Sequence, residues 1–415
     1  MYQNQKELLA SLFEEAYQSC RPSNCMPDYL AGIDDTAGIC VLGAGKAAAE
    51  MAAVMHEHFG EKCFGAVVVR HGLSSNVSTG NIRVLKASHP IPDRSSVKAA
   101  QTILKLAKEN DENVPIIFLI SGGGSSLMSL PIEGVSFTDK QKMTRFLLRS
   151  GASIKEINTV RKQLSQVKGG RLGAATKREL KTFIISDVVG DDPSLIASGP
   201  TIKNSTTPDQ ALLILKKYDY PEVNKVEKHL SKINTYDIQD NLNDFSIIAN
   251  GCTAIDTSVR LAKSLNWNTR VIDYYQQGEA KEVAKEHAKI ALEAKRRGES
   301  VILFCGGELT VSLGDSSGCG GPNQEYLLAL VIALDGEEGI YAISCDTDGV
   351  DGSEDVAGAY IDETTLARAK VELMDPMKYL DDHKSFNFFE KIDDLIITGQ
   401  TNTNVNDFRA IMIWS

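Results

Sequence analysis

The sequence predicts an α/β protein whose polar groups collect where strands end, and three observations lead there. Short unbroken apolar runs recur along the chain, as strands buried on both faces of a parallel sheet require. Several of these runs end in glycine turns that carry Ser, Lys or Asp. Between them lie stretches of helical periodicity, and strands alternating with helices make α/β architecture.

Leu8, Leu9, Leu12, Phe13 and Tyr17 at helical spacing predict an amphipathic helix over residues 4–20. The run Ala37 to Leu42 predicts a strand, followed by Gly43-Ala-Gly45-Lys46 and an alanine-rich helix to about His58. Gly43, Gly45 and Ala48 fit the dinucleotide spacing GxGxxA, but the next strand ends in Arg70 and His71 where a ribose carboxylate is needed. Cys40 and Ala47 stand where a Walker A loop needs Gly and Ser or Thr. Lys46 remains, an ammonium beside a glycine turn. His89-Pro90-Ile91-Pro92-Asp93 predicts a held turn.

The run Pro115 to Ile120 is the strand on which the chain is organised. Ser121-Gly122-Gly123-Gly124-Ser125-Ser126 after it predicts a phosphate cradle of backbone N–H groups with added hydroxyls. Residues 139–173 read as helical, and Arg161, Lys162, Lys168 and Arg171 predict a basic face for an acidic ligand. Lys181 to Ser186 predicts a buried strand ending in Asp187, Asp191 and Asp192, at the sheet edge where magnesium ligands or a base belong.

Residues 202–243 read as polar and helical, with a domain boundary near their end. The expected domains are therefore 1–240 and 241–415. The second part opens on a strand at Phe245 and continues with strands near residues 269–273, 301–305 and 340–344. Glu308 follows one glycine turn, Pro322 opens a leucine-rich helix carrying Asn323, and Asp346, Asp348 and Asp351 lie between glycines. The EF-hand spacing fails for lack of the late Glu.

A chain of 415 residues, 42% hydrophobic and 24% charged, is large enough for two domains. Its net charge of -11 disfavours nucleic acid and anionic membranes and favours a small-molecule partner. Eight scattered cysteines without a CxxC pair, and no long apolar segment, predict a reduced cytoplasmic protein. Cradles, a lysine, a basic segment and aspartates are the parts of phosphoryl transfer.

The ordered motifs Gly43-Ala-Gly45-Lys46, His89 to Asp93, Ser121 to Leu127, Asn158 to Lys162, Ser186 to Asp191, Gly306-Gly307-Glu308, Asn323-Gln324-Glu325, Asp346 to Gly352 and Thr403 to Asp407 resemble the class II glycerate kinases of the MOFRL family. The resemblance spans about residues 5–410. It implies a Rossmann-like N-terminal domain, a smaller C-terminal α/β domain and an active site in the cleft between them. It also implies ATP-dependent phosphorylation of D-glycerate to 2-phosphoglycerate, with ATP and Mg2+ as cofactors, and it leaves a homodimer open.

On this reading Lys46, Asp187 and Arg161 are the catalytic candidates. Gly43, Gly45, Ser121, Gly122, Gly123, Gly124, Ser125, Ser126, Lys162, Arg171, Glu308, Asn323, Thr403 and Asn404 are the expected binding residues. Asp191, Asp346, Asp348 and Asp351 are the expected metal ligands. Two departures stand out. Many family members have arginine where this chain has Pro322, so the expectation is either that Arg161, Lys162 or Arg171 carries that charge or that catalysis is weaker. The late turn Gly399-Gln400-Thr401-Asn402-Thr403 replaces a usual Gly-Pro-Thr-Gly-Thr. The competing readings are an NAD(P)H-dependent hydroxypyruvate reductase and a non-catalytic sensor of acids or phosphates.

Overall fold

A computed structural model of the chain describes residues 4–72, 77–109, 111–231, 244–314 and 318–415. The chain divides into two compact units, Met26–Ile248 and Met1–Cys25 with Ala249–Ser415. The boundary expected at 240/241 lies outside the described residues, and the contiguous division differs from the one observed.

The unit Met26–Ile248 is built on a six-stranded sheet. Its strands are β1 (Ile39–Ala44), β2 (Cys63–Arg70), β3 (Asn81–Ala87), β4 (Ile116–Ile120), β5 (Leu180–Ile185) and β6 (Phe245–Ala249), in the order β3-β2-β1-β4-β5-β6. The pairings β3-β2, β2-β1, β1-β4 and β4-β5 are parallel. That is the doubly wound order, and the Rossmann-like expectation holds. β6, read from sequence as the start of the second domain, is instead the edge strand of this sheet.

Apolar runs become the central strands because every residue of β1 and β4 is buried. The helix Arg94–Glu109 supplies Ala99, Ala100 and Ile103 to a core with Leu42, Phe118 and Ile184. Each fully buried large apolar side chain there contributes about 1.5–3 kcal/mol. A second apolar cluster joins four helices, Phe137–Arg149, Ile154–Gln163, Pro208–Lys217 and Val223–Leu230. The span 139–173 is not one helix. It breaks after Arg149, restarts behind the Ser153–Glu156 capping box, and stops at Gln163, with only a short turn at Arg171–Ala174.

The other unit holds β7 (Asn268–Asp273), β8 (Gln277–Glu279), β9 (Val301–Cys305), β10 (Glu308–Thr310), β11 (Ile340–Asp346), β12 (Gly358–Ile361), β13 (Leu395–Ile396) and β14 (Asp407–Ile413). Its main sheet runs β13-β12-β11-β14-β9-β7, while β10 and β8 form a separate parallel pair. The main sheet is antiparallel except for β7-β9. The N-terminal helix Gln5–Ser19 belongs here. Phe13 lies 5.6 Å from the Phe408 ring, and Ser258 Oγ donates to Leu12 O at 2.6 Å.

Candidate functional site

In a doubly wound sheet the strand order reverses between two neighbours, and ligands bind beyond the carboxyl ends there. Here those neighbours are β1 and β4, followed by the two glycine turns read from sequence. The turns are fastened to each other. The Lys46 amide donates to Gly122 O at 2.8 Å and the Ala47 amide to Ser121 Oγ at 3.0 Å.

The glycines make that approach possible. A Cβ on Gly45 would lie 2.1 Å from Ser121 Oγ, and one on Gly43 would lie 2.5 Å from Leu119 O. Gly43 and Gly45 therefore serve loop packing, and the amides of Lys46 and Ala47 are spent within the protein. Those spent amides count against the dinucleotide reading of the GxGxxA turn, which needs them on a pyrophosphate.

The β4 turn is where the other candidates meet. A Cβ on Gly122 would lie 2.0 Å from Asp187 Oδ2, one on Gly123 2.8 Å from the His89 ring, and one on Gly124 2.9 Å from Ala197 Cβ. Asp187, beyond β5, and His89, beyond β3, are thus packed on the glycine backbone. Among the described residues, the amides of Gly122 and Gly123 donate to no acceptor. Asp93 is engaged elsewhere, because its Oδ1 caps the helix Arg94–Glu109 through the Ser95 and Ser96 amides at 2.9 and 3.2 Å. Those bonds, led by the Ser95 hydroxyl, hold its carboxyl down to about 2.

The serines divide. Ser121 Oγ accepts from Ala47, and Ser126 Oγ turns back to Gly123 O at 3.0 Å. Ser125 Oγ faces the cations: Arg161 Nη2 donates to it at 3.0 Å, Lys168 Nζ donates to both its hydroxyl and its carbonyl, and Ser198 Oγ lies 2.8 Å away. Ala197 and Ser198 hold φ of 50° and 64°. Non-glycine residues adopt such values at a cost and cluster at functional sites.

The expected basic face resolves into unlike parts. Arg161 and Lys168 converge on Ser125. Lys162 is buried, with Nζ donating to Ser194 Oγ at 3.4 Å. Arg171 turns back on the preceding helix end, donating to Lys162 O, to Ser165 O at 2.8 Å and to Gln163 Oε1 at 2.8 Å. Arg171 therefore closes a helix end.

One residue was missed. Lys140 is 6% exposed and its Nζ has no hydrogen-bond partner among the described residues. Burial, with Arg161 and Arg171 nearby, pushes its ammonium down to about 7. Its signal was in the sequence: Lys140, Met143 and Leu147 are the buried positions of the helix Phe137–Arg149, so a lysine occupies the apolar stripe.

In the unit containing β7–β14 the expected metal ligands separate by role. Asp351 is 1% exposed, and both its oxygens are occupied. Oδ1 accepts from the Asn323 amide at 3.1 Å and Nδ2 at 3.2 Å; Oδ2 accepts from the Gln324 amide and Nε2, each at 2.9 Å. It caps the helix Pro322–Leu334, and burial raises its carboxyl to about 6. Each Asp351 oxygen thus already holds two donors.

Asn323 is equally committed, to Asp351, to Asp407 Oδ1 at 2.7 Å and to Ser344 Oγ at 2.6 Å. Thr403 Oγ1 donates to Cys20 O at 2.8 Å, tying down the end of the N-terminal helix. Asn323 and Thr403 thus hold structural bonds at these atoms. Asp346 Oδ1 accepts from the Asp348 amide, Asp348 Oδ1 from the Val350 amide, each at 2.9 Å, and Asn404 Nδ2 donates to Asp348 Oδ2 at 3.1 Å. Glu308 is exposed at the start of β10. Among the described residues no three His, Cys, Asp or Glu side chains form a metal-holding group, and Asp191 belongs to the other compact unit. Asn402 holds φ of 63°, the left-handed region that Asn tolerates and glycine takes freely, so the late turn keeps a glycine-like path.

Residues 8–233 match a domain of unknown function, DUF4147, and residues 301–407 match the MOFRL family. A D-glycerate 2-kinase from Thermotoga maritima is 36% identical over 97% of each chain, and a glycerate 2-kinase from Pyrococcus horikoshii is 37% identical over 91% of this chain and 88% of that one. A protein named putative hydroxypyruvate reductase from Agrobacterium vitis is 44% identical over 91% of this chain and all of that one. The crystal structure of a glycerate kinase from Thermotoga maritima superposes with a TM-score of 0.91 at 37% identity, covering 98% of this chain and 99% of that one. With near full-length likeness in both sequence and fold, this chain belongs to the MOFRL glycerate 2-kinase family.

Proposed function

We propose that the protein transfers the γ-phosphoryl group of ATP to the 2-hydroxyl of D-glycerate. The observation that carries this reading is identity of 36–37% over most of the chain to two enzymes named as glycerate 2-kinases. The β4 turn supports it, since it joins two backbone amides with no acceptor among the described residues, a carboxylate and two cations on one hydroxyl.

In the reaction the acceptor oxygen bonds to the γ-phosphorus while the bond to the bridging oxygen breaks and ADP leaves. The hydroxyl proton passes to a carboxylate, and Asp187, seated against Gly122, is the one we assign. The Gly122 and Gly123 amides hold phosphate oxygens, and the Lys46 ammonium balances charge on the transferring group. Of the cations expected to replace the arginine lost at Pro322, Arg161 is assigned, because Lys162 is buried on Ser194 and Arg171 closes a helix.

Mg2+ carried by a nucleotide needs one or two carboxylates and completes its shell with phosphate and water. Asp191, beyond β5, fits that requirement, with the base role left to Asp187; the amide-bound Asp351 does not. The ion would neutralise phosphate charge as transfer proceeds. Among the described residues no helix is long and apolar enough to cross a membrane. A cytoplasmic location is proposed from the eight scattered cysteines, none in a CxxC pair.

The Agrobacterium relative's name favours a hydroxypyruvate reductase as the second reading. The spent Lys46 and Ala47 amides, and Arg70 at the end of β2, count against a nicotinamide dinucleotide. Purified protein with ATP, Mg2+ and D-glycerate is expected to release ADP in a coupled assay, with NMR placing the phosphate on the 2-hydroxyl. Oxidation of NADH by hydroxypyruvate without glycerate-dependent ADP release would overturn the kinase assignment, and neither activity would leave a sensor.

A further inference from the structure

A cavity of about 350 Å3 lies between the Pro90–Pro92 turn and the helices Phe137–Arg149 and Ile154–Gln163. Gln141 Nε2 donates to Pro92 O at 2.9 Å and fixes one helix to the turn. Four cations line the cavity, Lys140, Arg145, Arg161 and Lys168, and no Asp or Glu is among its lining residues. Lys140 and Lys168 are 6% and 2% exposed.

Unbalanced cations at such burial are costly unless a counter-charge joins them. Lys168 and Arg161 have Ser125 as a partner, a neutral one; Lys140 Nζ has none among the described residues. Ile91 and Phe137 give the same cavity apolar wall. Cations and apolar residues in one lining suit a compact organic anion. The volume is at the lower end of small-molecule sites, ample for a three-carbon acid and small for a whole nucleoside triphosphate.

We propose that this cavity is the acid site: a carboxylate, or the phosphate ester made from the same acid, seats against Lys140, Arg161 and Lys168. The identity of the acid rests on the kinase reading; the sign and size of the ligand rest on the cavity. Ser125 joins the two functions, because the hydroxyl that meets Arg161 and Lys168 belongs to the turn assigned to the nucleotide phosphates. An acid bound there would direct its hydroxyl toward that turn.

The test uses the protein as a whole and Lys140→Met, which shortens the side chain by one atom and removes its charge. D-glycerate, 2-phosphoglycerate and inorganic phosphate are each added in a thermal-shift titration, and KM is measured for both substrates. Wild type should be stabilised by the two organic anions. Lys140→Met should melt no lower than wild type without ligand, lose that stabilisation, and show KM for D-glycerate raised at least tenfold with KM for ATP within twofold.

A variant retaining the wild-type glycerate KM and thermal shift overturns the proposal. A shift from inorganic phosphate alone overturns the acid assignment. If wild type phosphorylates no glycerate yet Lys140→Met still loses the organic-anion shift, the kinase reading fails and the anion site stands. If Lys140→Met does not fold, Arg145→Gln, exposed on the same helix, should raise glycerate KM three- to fivefold; an unchanged KM would count equally against the site.

Discussion

Two polar clusters of this protein look alike in sequence and behave in opposite ways. Around Asp351 in one unit, each carboxylate oxygen meets an amide and a side-chain nitrogen, and Asn323 extends the network to Asp407, whose other oxygen accepts from Arg409 Nη1 at 2.9 Å. Around Ser125 in the other, positive charges gather on a hydroxyl and an ammonium is left without a partner among the described residues. A network whose carboxylates already hold their donors stabilises a fold and has little to offer a ligand. A cluster of one sign is stable only when something of the other sign arrives. The contrast separates structural from ligand-seeking polarity better than residue type does.

Four measurements would break or sharpen that contrast, from the largest effect to the smallest. Lys46→Ala, at the turn assigned to the phosphates, should lower kcat by about 10²–10³-fold and leave the melting temperature close to wild type; unaltered turnover would remove Lys46 from the mechanism. Asp351→Ala should do the reverse, costing about 3–4 kcal/mol through a lost helix cap and stranded buried donors. Chemical denaturation measures it, and an undiminished stability with weakened Mg2+ dependence would restore Asp351 as a metal ligand.

The third concerns His287, buried with Nδ1 2.8 Å from the Tyr326 hydroxyl and Nε2 without a partner among the described residues. Burial, then the Arg409 charge, pushes its imidazole down to about 4. The folded state therefore binds fewer protons than the unfolded one between that value and about 6.5. Stability should hold above about pH 6.5 and fall by up to about 3 kcal/mol as pH drops toward 4. Asp351, raised to about 6, acts in the opposite sense across part of the same window. The measured quantity is accordingly the difference between wild type and His287→Gln, and parallel stability–pH curves would refute it. The smallest effect is that of Ser125→Ala, which removes a neutral partner from Arg161 and Lys168: about 1 kcal/mol of stability, with glycerate KM rising several-fold. A large stability loss with unchanged KM would make Ser125 a core residue.

Much of this was legible in the residues. The strands β1, β4 and β9 read directly from their apolar runs because they are buried throughout. The glycine turns after β1 and β4 were legible as turns, and Pro322 as a first helical residue. Roles were harder. Asp351 between glycines reads equally as a metal ligand or a helix cap, since both demand a carboxylate beside a turn. Gly45 reads equally as a phosphate-binding glycine or as room for Ser121, because a missing Cβ serves either neighbour.

The sequence by itself determined where the chain is apolar, where it turns and which charges it carries, because periodicity and backbone freedom are local properties. It also carried the family, through the order of its motifs. Only the tertiary structure decided partners: that the N-terminal helix packs with Phe408, that β6 edges the first sheet, and that Arg171 closes a helix while Lys140 lines a cavity. What a side chain does is set by the groups within a few ångströms of it, and residues far apart in the chain supply those neighbours.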